Sequence, residues 1–434
     1  MNKTSNKPFF KFLILCFGGF IASAGSGITS FGVSVYVFEK TGLASATTLI
    51  ALLAFLPSLI LSPLAGILAD RYDRRLLMIL GHGLSAVGTI YILFCMLCGE
   101  VQFWQIGVGV TIRSVFSSLI DPAFKATITD LLSEEEYTKA NGFVQISDSA
   151  KFLISPIIAG FLLAVSDMKL LLVIDICTIF VTVIATTVVR KGIVSKKRAS
   201  KESVRGEFRT GWTALTKTRG VFILTVMAAC TTFFVTFIQS LSTPMMLAFT
   251  DSLTLGIATT IWASGMLVSS VLLGLIPIKK GFAKIFSGAL FLAGIFMGGF
   301  GLRENIIVIC IFGFLFFAML PFANMSIDYL IRTNINNNVQ GRVWGLIGII
   351  SQLGYAVAYV ILGPLADFVF VPWLVEGGTL ANSVGKVIGV GNGRGIGLLI
   401  IVAGILLAFS AIFLYRIKSV RELENRGRLC TEKS

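Results

Sequence analysis

Gly66-Ile67-Leu68-Ala69-Asp70-Arg71-Tyr72-Asp73-Arg74-Arg75 puts five charges into a gap between two long apolar runs. A run of roughly 20 apolar residues spans the ~30 Å hydrocarbon layer of a bilayer, and the flanking runs, about 44–69 and 76–98, both reach that length. The chain therefore leaves lipid, turns in water and re-enters. Asp70 ends a helix and can meet the positive N-terminus of another, while Arg71, Arg74 and Arg75 can engage carboxylates or lipid phosphate. With Gly66 and, further along, Asp121, they form a candidate latch that favours one conformation over another.

Working outward from this loop, the same alternation of apolar run and polar gap continues to both ends. Twelve runs lie at about 12–38, 44–69, 76–98, 102–124, 139–165, 170–189, 220–247, 254–277, 285–302, 305–330, 343–368 and 396–415. Hydrophobic residues make up 55% of the chain and charged ones 13%, with mean hydropathy +0.89. That is more apolar surface than a water-soluble domain of this length can bury. The expected fold is an all-α integral membrane protein of twelve transmembrane helices.

Lys and Arg concentrate in loops that stay in the cytoplasm. With the N-terminus assigned inside, 29 of the 36 fall in inner gaps and only Lys40, Lys169, Arg303, Lys386 and Arg394 in outer ones. Both termini are expected in the cytoplasm, at a cytoplasmic membrane. The net charge of +14 is then spread over inner loops facing anionic lipid, and nucleic acid is not an expected partner. Membrane lipid is.

The longest inner gap separates six runs from six, which suggests two pseudo-symmetric bundles: 1–190, a linker 191–218 holding Lys196-Lys197-Arg198, 219–417, and a tail 418–434. Weak internal echoes agree. Gly66 to Arg71 has a degraded counterpart in Gly274 to Lys280, and Ser155-Pro156 with Gly160 parallels Gly363-Pro364 with Asp367. The start of the chain, with Lys3, Lys7 and Ala22-Ser23-Ala24, resembles a signal peptide, yet an uncleaved first helix fits better because no exported soluble domain follows.

Polar side chains inside spans are few. In the first, Ser23, Ser26, Ser30 and Ser34 recur at helical spacing on one face, and Thr232, Thr236, Gln239 and Thr243 repeat the device in the seventh. Such stripes either border a watery cavity or bond back to the preceding turn and permit close packing. Embedded charges are candidates for function because lipid makes them costly. Arg113 lies mid-span with Asp121 eight residues on; Asp148 and Lys151 share a face of the fifth span; Asp175 lies in the sixth.

A proton-driven carrier needs a cavity-facing carboxylate that gains and loses a proton. Asp148 is the first candidate and Asp175 the second, with Arg113 and Lys151 as partners; a static Asp148–Lys151 pair is the competing reading. His82, the single histidine, reads as a proton-active group or an ordinary residue near a helix end. The seven cysteines read as small apolar fillers, with no metal site and no cofactor expected. The glycine-rich stretch 385–395 lacks the spacing of a phosphate loop, so ATP is not an expected energy source.

Several motifs resemble one family. Leu61-Ser62-Pro63-Leu64-Ala65-Gly66 running into Asp70-Arg71 and Arg74-Arg75, then Gly341-Arg342-Val343 and Gly363-Pro364-Leu365-Ala366-Asp367, look like the drug-efflux branch of the major facilitator superfamily, nearest its bacterial macrolide-efflux type. The likeness covers nearly all of residues 1–417. Two positions depart: Ser117 stands where the span-four efflux motif has Gly, and Ser155 where the span-five motif has Gly before Pro. The resemblance implies a transporter rather than an enzyme, moving lipophilic compounds outward by proton antiport with alternating access; for oligomeric state, which the sequence leaves open, a monomer is the default expectation. A dedicated exporter or importer of a metabolite or peptide, or a membrane sensor or scaffold, would share the same pattern.

Overall fold

In a computed structural model, residues 6–132, 136–190, 204–276, 278 and 280–431 are described. The linker cluster at 196–198 and part of the Gly274 to Lys280 echo lie outside them. In chain order the helices are α1 (Asn6–Thr41), α2 (Ala44–Arg71), α3 (Arg74–Cys98), α4 (Phe103–Ser117), α5 (Ile120–Leu131), α6 (Tyr137–Leu153), α7 (Ser155–Val165), α8 (Met168–Arg190) and α9 (Val204–Lys217). They continue with α10 (Arg219–Leu247), α11 (Ser252–Leu275), α12 (Phe282–Phe300), α13 (Ile306–Arg332), α14 (Asn337–Leu365), α15 (Val371–Leu374), α16 (Gly385–Ile388), α17 (Asn392–Arg416) and α18 (Lys418–Thr431). Eleven helices among the described residues are long and apolar enough to cross a membrane.

The fifth expected span is two consecutive helices, α6 and the apolar α7. Pro156 has no N–H to offer Phe152 and its ring crowds that carbonyl, which accounts for the break at Ile154. Pro122 has the same effect on the fourth span. The helix interrupts at Ser118–Leu119 and resumes as α5, so the crossing reaches Leu131, well past the expected end at 124. The eleventh span also runs on, through a π-helical turn Ala366–Phe370 into α15.

The chain forms two compact units. One is Met1–Gly42, Leu49–Ser200 and Asp251–Thr260; the other is Leu43–Thr48, Lys201–Thr250 and Ile261–Ser434. In the first unit α1 packs along α8 and α6, and α3 along α4 and α8. Asp251 caps α11 by accepting from the Thr254 backbone N–H at 2.7 Å, and this bond holds its carboxyl below the usual range. In the second unit α12 packs along α13 and α17, and α10 along α14. There Asp367 caps the start of α2, accepting from the N–H groups of Ala44 (3.0 Å) and Ser45 (2.7 Å). Arg394, assigned by sequence to an outer loop, is instead buried in the first turn of α17, donating to the Gly301 carbonyl with Glu304 at 3.9 Å.

Candidate functional site

The 66–75 loop rests on an apolar core of the first unit that includes Phe12, Ala69, Leu77, Ala123, Ile128 and Val189. Against that core its arginines need an anion, because a buried guanidinium without one is costly. Asp130 of α5 supplies it: Arg74 Nη1 donates to its Oδ1 at 2.8 Å and Arg75 Nη2 to its Oδ2 at 3.4 Å. Arg74 also donates to the carbonyls of Ala69 and Ala126. Asp73 caps α3 through the Arg75 N–H and pairs with Arg190 of α8 at 2.8 Å.

Asp70 has a smaller part in this arrangement. Its side chain is 56% exposed and lies 4.0 Å from Arg74. Arg71 is exposed, and a Cβ on Gly66 would meet only open space. Asp121 pairs with Lys125 along α5 at 2.8 Å. Sequence spacing singled out Arg74 and Arg75 but missed Asp130, which lies in what hydropathy marks as a water gap.

A cavity of about 370 Å³ opens within the first unit. Ser23, Ser26, Arg113, Asp121 and Lys151 all line it, so residues from α1, α4, α5 and α6 that sequence analysis had chosen separately meet here. Ser30 lies outside the cavity wall and donates to the Ser26 carbonyl at 2.8 Å. His82 and Ser85 of α3 complete a polar flank. The side chain of Asp148 lies outside the described residues, although its backbone continues α6.

Behind this wall Arg113 and Asp175 form a two-pronged ion pair. Nη1 engages Oδ2 and Nη2 donates to Oδ1 at 3.3 Å. Asp175 is fully buried, whereas the Arg113 side chain keeps 18% exposure. Thr89 touches both, accepting from Arg113 Nη1 at 2.8 Å and donating to Asp175 Oδ2 at 3.5 Å. A hydroxyl that can accept from the cation while donating to the anion keeps both satisfied inside an apolar bundle.

Glycine makes this approach of helices possible. A Cβ on Gly88 would lie 2.2 Å from the Gly109 carbonyl and 2.8 Å from the Arg113 nitrogen, so α3 and α4 meet backbone to backbone one residue from Thr89. A Cβ on Gly25 of α1 would fall 2.1 Å from the Thr178 hydroxyl and 3.1 Å from Asp175. Pairing Arg113 with Asp175 across sixty-two residues was not visible in sequence spacing. In the second unit the expected stripe divides: Thr232 bridges to the Ser351 carbonyl at 2.6 Å and Thr236 donates to the Thr232 carbonyl at 2.7 Å, whereas Gln239 is exposed.

Comparison with known proteins follows the geometry. Residues 15–359 match the Major Facilitator Superfamily, and the chain belongs to it: a multi-pass membrane transporter. It is 27% identical over 380 residues to Macrolide efflux protein A of Streptococcus pyogenes, covering 85% of this chain and 93% of that protein. A second Macrolide efflux protein A, from Enterococcus faecalis, is 26% identical over 71% of this chain and 97% of its own length. Among solved structures, a bacterial homologue of the human lysosomal transporter Spinster, inward-facing and unoccupied, superposes with a TM-score of 0.73 at 14% identity, covering 98% of this chain and 99% of that one. The nucleoside transporter NupG gives 0.71 at 12% identity, covering 94% and 100%. Both are similar in fold alone.

Proposed function

We propose that this transporter exports amphipathic small molecules of the macrolide type from the cytoplasm, each exchanged for an entering proton by alternating access. The observation that carries the proposal is the Arg113–Asp175 pair set behind a hydroxyl-lined cavity. A carboxylate with no solvent exposure is poorly solvated as an anion unless its guanidinium stays beside it. Protonating Asp175 removes that attraction and leaves Arg113 free to turn toward the cavity it lines; losing the proton draws it back. Proton occupancy then biases which conformation is stable. The names of the efflux relatives support the substrate class and direction.

In this scheme the bundles 1–190 and 219–417 are the moving parts, with linker 191–218 and tail 418–434 on the cytoplasmic side of the cell membrane. The excess of inner Lys and Arg supports that orientation. Arg71, Arg74 and Arg75 with Asp70 act as the conformational latch, now with Asp130 as its anion. Asp148 and Lys151, three residues apart on α6, are a second candidate for carrying the proton. One proton entering down 100 mV supplies about 2.3 kcal/mol.

The test is steady-state accumulation of a radiolabelled macrolide in energised cells lacking or expressing the protein. Expression is expected to lower accumulation several-fold, and a protonophore to abolish the difference. Equal accumulation in the two strains would refute export of this class.

A further inference from the structure

We infer that Asp367 is a positioning residue that holds the outer side of the transporter shut by clasping the start of α2, and that this clasp must release for outward opening. The inference rests on the alternating-access part of the proposed function. The Asp367 carboxylate accepts from the Ala44 N–H at 3.0 Å and from the Ser45 N–H at 2.7 Å. Both donors belong to the first turn of α2, where a helix offers its own N–H groups no partner. The carboxylate also meets the positive end of the helix, and hydrogen bonds to an ionised acceptor are roughly twice as strong as neutral ones.

The origin of this cap makes it more than local. Asp367 and Ser45 are 322 residues apart, in the two bundles, 219–417 and 1–190, that the proposed function sets in relative motion. Yet Leu43–Thr48 groups with the second compact unit, and α2 joins the first unit only from Leu49 onward. The first turn of α2 is thus held by the bundle to which it does not belong in sequence. Movement of one bundle against the other at this end has to draw Ala44 and Ser45 away from Asp367.

The backbone around Asp367 is shaped for the contact. Gly363, one turn earlier on α14, lets the two helices touch, because a Cβ there would collide with the Thr48 hydroxyl and the Ser45 Cα. The π-helical turn Ala366–Phe370 then carries Asp367. That geometry is rare and is frequent at functional positions.

A matching, uncharged contact stands at the sequence echo, where Ser155-Pro156 with Gly160 parallels Gly363-Pro364 with Asp367. Gly160 lies against the first turn of α11: a Cβ there would come 2.5 Å from the Ser252 carbonyl, and the Ser252 hydroxyl donates to the Gly160 carbonyl at 3.4 Å. A Cβ on Gly256 would collide with the Pro156 carbonyl. Asp251–Thr260 in turn groups with the first compact unit, although it lies in the second bundle by sequence. The second and eighth spans therefore each begin against the opposite bundle, and on the topology that the inner Lys and Arg support both beginnings lie at the outer side. Asp367 supplies the charged bond of the two contacts and sets how readily they part together.

Hydrogen–deuterium exchange of purified full-length protein in lipid nanodiscs, read by mass spectrometry, tests this. Asp367→Ala is expected to speed exchange about tenfold at residues 44–48. It is also expected to speed exchange at 252–256 of α11, which lie in the other compact unit from Asp367. Asp367→Asn, which keeps an acceptor without the charge, should fall between Asp367→Ala and wild type. Gly160→Ala, which forces the start of α11 off α7, should speed exchange at 44–48 in return, since coupling between two sites is reciprocal. This variant stands in if the Asp367 variants fail to fold. Residues 282–286, at the start of α12, report general loosening and should exchange as in wild type.

Faster exchange confined to 44–48 makes Asp367 a local cap and overturns the inference, as does no change at either site. Faster exchange at 282–286 as well makes it a general brace and overturns the inference too. No macrolide enters the measurement. If macrolide export fails while 44–48 and 252–256 respond together, the substrate reading falls and the clasp stands. If cells export macrolide and 252–256 does not respond, the clasp alone falls.

Discussion

Asp130→Asn removes the one carboxylate shared by Arg74 and Arg75. Their side chains are 8% and 1% exposed, and that of Asp130 is 8% exposed, so the change strands two guanidiniums in an apolar setting. Breaking a buried pair costs about 3–5 kcal/mol. The lower end applies here, because Arg74 keeps the Ala69 and Ala126 carbonyls, Arg75 keeps the attraction of Asp73, and the new amide oxygen still accepts. A loss of about 3 kcal/mol corresponds to a fall in Tm of roughly 6–12 °C for a unit of this size.

Asp70→Asn serves as the comparison. Its carboxylate is largely exposed and 4.0 Å from Arg74, and such a contact is worth at most about 1 kcal/mol, or a few degrees. Unfolding of the purified protein in detergent, read at one fixed scan rate because such transitions are often irreversible, ranks the two. Equal melting points, or Asp130→Asn within the error of wild type, would refute the assignment of Asp130 as the anion that holds the loop.

Further substitutions probe other parts of the structure. Gly88→Ala brings a Cβ to 2.2 Å from the Gly109 carbonyl, where ordinary contact begins at 3.4 Å. It is expected to cost about 1–3 kcal/mol and to slow transport by parting Thr89 from Arg113, whereas Gly83→Ala, with nothing within 4 Å, should melt like wild type. Asp148→Asn should slow exchange but leave pH-driven accumulation in liposomes; its loss would move the coupling role to Asp148. Thr232→Val removes the α10 to α14 hydrogen bond at Ser351 and should lower stability by about 0.6 to 1.5 kcal/mol, measured by the same melt.

Much of the fold was legible because lipid imposes a simple rule: each crossing must satisfy its own backbone and present apolar side chains. Ser155-Pro156 read only as an echo of Gly363-Pro364 within one continuous span; the break at Ile154 into two helices depends on geometry at Phe152. Asp130 was hidden because a charge near a helix end reads as loop; only the core of Phe12, Leu77 and Ile128 beneath it shows why it is buried. Arg113 and Asp175 each stood out as embedded charges. Their partnership did not, since it depends on Gly25, Gly88 and Gly109 letting α1 meet α8 and α3 meet α4. The hydroxyl stripe of α1 was half informative: Ser23 and Ser26 reach the cavity, while Ser30 turns to its own helix.

Coupling at Asp175 is tested most directly by final accumulation of a radiolabelled macrolide in liposomes holding purified protein across one imposed pH unit. One pH unit is worth about 1.4 kcal/mol per proton, so one acid exchanging one proton per substrate supports roughly tenfold accumulation. Wild type is expected to approach that ratio, and Asp175→Asn to equilibrate the macrolide without concentrating it. An Asp175→Asn protein that still accumulates substrate near tenfold would contradict the account.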